Sequence, residues 1–190
     1  LASQNSKVWQ AISYRKENGY SRAEKIGVSI VPASGLKNDT LLGDVRDFLQ
    51  AAASSGVKVF VENFESVCVK IGVKFYYDAQ RFDLEQIEST LYSVLNSSLN
   101  LKNRNLGEAL YRSELYALVE GVLGVSNSHI SVALDPVSSD FSNSQPPMLV
   151  SAPGGVVKTI KPYPHQVVYV SEFSNSITFT PIANTQGGEA

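Results

Sequence analysis

Between Glu65 and Tyr77 the chain alternates without a break. Val67, Val69, Ile71, Val73 and Phe75 fall on one side of an extended backbone, and Cys68, Lys70, Gly72, Lys74 and Tyr76 on the other. A period of two held this long specifies a strand, because the same residues wound on a helix would be spread around its axis. One face is therefore core, while the two lysines leave the opposite face at least partly wet, with Cys68 a small, partly buried side chain there. Such a strand needs apolar partners for its dry face, and the rest of the chain has to supply them.

Two amphipathic segments answer that need. Asp83, with Gln86 three residues on, resembles a capping box, and Leu84, Ile87, Leu91, Val94 and Leu95 form the stripe of the helix that follows. A further helix carries Leu115, Leu118, Val119 and Val122 and ends near Gly124, leading into the alternating Ile130, Val132 and Leu134. Upstream, Ile26, Val28 and Ile30 read as a half-buried strand closed by Pro32. A helix capped by Asp39 or Thr40 follows, with its stripe at Leu41, Leu42, Val45, Phe48, Leu49 and Ala52, and then a short strand through Val57, Val59 and Val61. The expected fold is α+β, helices packed on a mixed sheet in the order β-α-β-β-α-α-β over residues 26–135. Residues 1–25 read as a connecting segment. Six of the eight prolines fall between Pro136 and Pro164 among several serines, so 136–164 reads as an extended linker. Residues 165–190 read as a small β hairpin, Val167 to Val170 with Ile177 to Phe179, and a tail.

Charge and composition narrow the function. With 16 basic and 18 acidic side chains the net charge is -2, too balanced for a grip on phosphate backbones, so nucleic acid is not an expected partner. No apolar run has the roughly 18 residues that span a bilayer, so membrane insertion is not expected either. Residue 1 is Leu and the one methionine is Met148, which reads as the C-terminal part of a longer protein or a processed product.

Candidate chemistry is sparse. The bases are His129 and His165. Ser128 precedes His129 on a strand, where neighbours point to opposite faces, so they do not make a nucleophile–base pair. His165, between Pro164 and Gln166, reads as a turn or contact residue. Asp44 with Asp47, and Glu85 with Glu88, share helix faces as solvated carboxylates. No phosphate loop, zinc motif or calcium loop occurs. The expectation is a protein that is not an enzyme and takes no cofactor or metal.

The ordered set of segments resembles the C-terminal half of the baseplate J-like family, wedge proteins of contractile phage tails. VSIVPASG at 28–35 looks like that family's strand ending in a proline–small–glycine turn, followed by the helix LLGDVRDFLQAAASSG, the short strand VKVFVE, the long strand ESVCVKIGVKFYYD and the helix DLEQIESTLYSVLNSSL. LGEALYRSELYALVEGVLGVSNSHISVAL looks like its glycine, a helix starting at a Ser, a Gly-Val turn at Gly124-Val125 and a closing strand. The resemblance implies a structural role in a bacteriophage virion, at the tail baseplate, assembled in the host cytoplasm. It further implies contacts with a second copy of the same wedge protein, a helical wedge partner, and the tail hub and sheath-proximal proteins, with transmission of the shape change of contraction. Val168, Tyr169, Ile177 and Phe179, in strands too short to stand alone, are the candidate subunit contacts. The alternative is a carbohydrate-binding or adhesive module with Trp9, Tyr76, Tyr77 and Tyr163 as its platform.

Overall fold

The computed structural model describes residues 6–15, 25–140, 146–171 and 176–184. Among these described residues the architecture is mixed α+β, with three α-helices and several sheets in two units.

In the smaller unit, β1 (Val8–Arg15) runs antiparallel to β2 (Lys25–Pro32), and β2 runs parallel to β3 (Lys58–Asn63). The parallel pair requires a crossover, supplied by α1 (Asp39–Ala52). α1 is capped by Asn38, one residue before the expected Asp39 or Thr40. The Asn38 side-chain oxygen accepts from the Leu41 amide at 3.1 Å. Of the expected stripe only Leu41 and Val45 are buried, against Val8, Val28 and Ile30; Phe48 is exposed. β2 is buried on both faces rather than half-buried, Ser29 and Val31 included, because its second face lies on the larger unit. On that face Gly27 lets the Tyr14 ring lie across the sheet: a Cβ there would stand 2.6 Å from the ring.

The larger unit is organised by β4 (Glu65–Tyr77). Along one edge β6 (Val125–Leu134) runs antiparallel, with Val69 opposite Leu134 and Phe75 opposite Ser128. Along the other edge lie two parallel strands end to end, β9 (Gln166–Tyr169) against residues 65–68 and β10 (Ile177–Ala183) against residues 71–77. α2 (Leu84–Leu99) starts at Asp83, whose carboxylate accepts from the Glu85 amide at 3.1 Å, and lays Ile87, Leu91, Leu95 and Leu99 on the dry face. α3 (Arg112–Glu120) starts at Tyr111 without a side-chain cap, ahead of the expected Ser113, and adds Leu115 and Val119. Leu118 is only partly buried.

Three expectations are corrected here. Residues 1–25 are not only a connecting segment, because Val8–Arg15 forms β1 and pairs with β2. The 136–164 stretch is not a structureless linker: β7 (Met148–Ser151) and β8 (Val157–Lys161) form a hairpin, and β5 (Leu110–Tyr111) extends it to the order β5-β8-β7, with Ile160 buried in the main core. Val167 to Val170 and Ile177 to Phe179 do not form a hairpin either, and the expected tail, 185–190, lies outside the described residues. β9 and β10 each pair with β4 and not with one another, since the open edge of a long buried strand satisfies more backbone groups than a short isolated ribbon.

A third apolar cluster, Val31, Phe64, Leu106 and Val167 with Ile12, Leu101 and Tyr169, closes the seam between the units. Gln10 bridges it with both ends of its amide: Nε2 donates to the Arg104 carbonyl at 2.9 Å, and Oε1 accepts from the Leu106 amide at 3.0 Å.

Candidate functional site

The four residues expected at a subunit contact lie largely inside the chain. Val168 is fully buried in the core of the larger unit. Tyr169 packs on the seam and donates its hydroxyl to Ser66 Oγ at 3.2 Å. Ile177 and Phe179 are half-buried against the same core, Phe179 edge-on to Phe75 at 6.4 Å between ring centres. Val168 thus offers no surface to a partner, while Ile177 and Phe179 leave part of theirs exposed.

The two histidines and the cysteine fall in three places. His129 is exposed, opposite Lys74, while Ser128 turns inward and donates to Glu120 Oε1 at 3.0 Å, so the two point apart. His165 sits at the seam, stacked on Tyr163 at 6.0 Å and tilted against Tyr14 at 5.6 Å. Its Nε2 lies 3.5 Å from Glu65 Oε2, which also accepts from the buried Gln166 Nε2 at 3.2 Å. Burial raises the Glu62 carboxyl above the ordinary range, with Glu65 adding to the rise and His165 opposing it. Nearby on the second face of the β1–β2 pair, Tyr14 Oη and Ser29 Oγ are buried without hydrogen-bond partners among the described residues. The cluster joins the two units.

Cys68 is buried rather than partly wet. Its Sγ lies 3.1 Å from the Ser138 carbonyl, and burial pushes the thiol up to about 11, so it is not a thiolate nucleophile near neutral pH. The reason is the turn after β6, which folds back over the start of β4. Asp135 holds that turn, its carboxylate accepting from the Ser138 hydroxyl at 2.8 Å and the Val137 amide at 3.2 Å, with Lys70 Nζ at 3.4 Å. The Ser138 hydroxyl first, then the Val137 amide and Lys70, hold the Asp135 carboxyl below the usual range, against the opposite pull of burial. Among the described residues no group of three or more His, Cys, Asp or Glu is arranged to hold a metal ion.

The surface that stands out is the edge strand β7. Met148, Leu149 and Val150 are 61%, 44% and 36% exposed, three apolar residues in succession. Register places Met148 and Val150 on the face of Lys161 and Thr159, where Tyr111 is also exposed, and Leu149 on the face of the buried Ile160 and Leu110. Apolar side chains therefore project from both faces of an edge whose outer backbone groups have no ladder partner among the described residues. The sequence carried a signal for this hairpin that the proline count obscured. Gly154 and Gly155, both at positive φ (93° and 79°), sit between MLVS and VVKTIK, and the Ala152 amide donates to the Val156 carbonyl at 2.8 Å.

No known protein family matches the chain, and no curated protein matches it.

Proposed function

We propose that this chain is a structural assembly subunit, a component of a contractile phage tail baseplate wedge that mediates subunit contacts in the ring around the hub and passes on the shape change of contraction. The observation that carries an assembly role is the β7 edge, an uncharged apolar strand open on one side and on both faces. Two packed units joined by one apolar seam suit a part that is moved as a block. The baseplate assignment rests on the resemblance of the ordered segments from 28 to 134. The adhesive alternative finds less support, because Tyr77 is buried in the core and Tyr163 is stacked on His165, while Trp9 is exposed.

The test is the mass of the full chain in solution across concentration, alone and with purified tails. Assembly that is lost on Met148→Glu with Leu149→Glu at an unchanged melting temperature supports the reading. A chain that stays monomeric at every concentration and is absent from tails overturns it.

A further inference from the structure

We propose that β7 is completed by an extended segment of a partner chain, which adds as a further strand beside Met148–Ser151 and carries a carboxylate against Lys161. This deepens the assembly reading and rests on the same surface. Three observations select that occupant. First, the apolar side chains lie on both faces of the strand, Met148 and Val150 on one and Leu149 on the other. A helix laid on either face leaves the other open, whereas a coplanar strand covers both and pairs the edge amides and carbonyls at once. Second, the three-stranded sheet carries Lys158 and Lys161 and no acidic residue, and neither lysine forms an ion pair among the described residues. Lys161 stands opposite Met148 on the same face. An added strand lies about 10 Å from β8, two strand spacings away, which a lysine reaching over Met148 and a facing Glu can span together. Third, a second copy of β7 fits poorly. It brings no carboxylate, and Pro147 and Pro153, which lack amide donors, bracket the four-residue edge.

The probe is a short labelled peptide in which valine alternates with glutamate. It is compared with its lysine counterpart and with a version N-methylated on alternate amides, all titrated against the full chain by fluorescence anisotropy. The glutamate peptide should bind about tenfold tighter than the lysine peptide, with the preference lost in Lys158→Gln/Lys161→Gln, as one close charge pair predicts. N-methylation leaves the protein untouched and should abolish binding. Equal binding of the methylated and unmethylated peptides overturns strand addition, and equal binding of the acidic and basic peptides overturns the charge assignment. Binding of no peptide by a chain that does assemble in the mass measurement defeats this inference alone, while peptide binding by a chain that never assembles defeats the subunit reading and leaves the edge a peptide site.

Discussion

The two units are built from the same motif to different depths. In the larger, β4 has strands on both edges and two helices on its dry face, so Val67, Val69, Ile71, Val73 and Phe75 are all at most 1% exposed. In the smaller, one helix buries two residues on a three-stranded sheet and leaves Phe48 at the surface. The difference is in what seals the second face. β4's unit closes its own core, while the sheet of the smaller unit rests its second face on β9 and the segment 101–106 of the larger one through Val31, Ile12 and Gln10. The smaller unit is thus a dependent lobe, whose order requires its neighbour to be folded.

The largest effect is expected at the centre of the larger unit. Leu91→Ala should cost about 2 to 5 kcal/mol through lost transfer energy and a residual cavity, lowering the melting temperature of the whole chain. Leu118→Ala, at a partly buried site, should cost clearly less. Equal losses for the two would mean that α3 is packed more deeply than its exposure shows.

In the smaller unit Leu41→Ala should cost about 2 to 3 kcal/mol, the low end of the range for a site that can collapse. Hydrogen exchange should then quicken in β1, β2 and β3 and remain slow in β4 and α2. Uniform quickening across both units would break the comparison, because the lobes would be opening as one.

The seam itself is sharpened by Gln10→Ala. The substitution leaves the Leu106 amide and the Arg104 carbonyl without their partner and should cost about 1 to 3 kcal/mol. It should loosen β1 before any other strand. Protection of β1 that is unchanged in exchange measurements would remove Gln10 as the tie.

The smallest effect is a pH dependence confined to the larger unit. The Asp135 carboxyl is held below its unfolded value, so its contribution is present above the unfolded pKa of about 3.9 and is lost as pH falls through the lower folded value. Denaturant midpoints of the parent should therefore fall more steeply below about pH 4 than those of Asp135→Asn. Parallel curves would show that the turn does not depend on the ionised carboxylate.

Local pattern was enough wherever the signal and its consequence lay within a few residues. The alternation from Val67 to Phe75, the stripe from Ile87 to Leu95 and the Asp83 cap are found where periodicity places them. The β7–β8 hairpin was also legible, in Gly154-Gly155, but a proline count over thirty residues averaged it away. Burial within the candidate contact residues was hidden for a related reason, Val168 being fully buried and Phe179 half-buried. Val168 and Phe179 look like surface strands in search of a partner, and nothing near them in sequence says that the partner is β4, about a hundred residues upstream.

What the sequence by itself determined is the strand β4, the helix α2 and the apolar face of each, because periodicity and capping are properties of adjacent residues. Only the tertiary structure decided which edges were filled and which stayed open. Strand pairing joins residues far apart in the chain, so the apolar segment left uncovered, Met148 to Val150, is identified only after β9 and β10 have taken the free edge of β4.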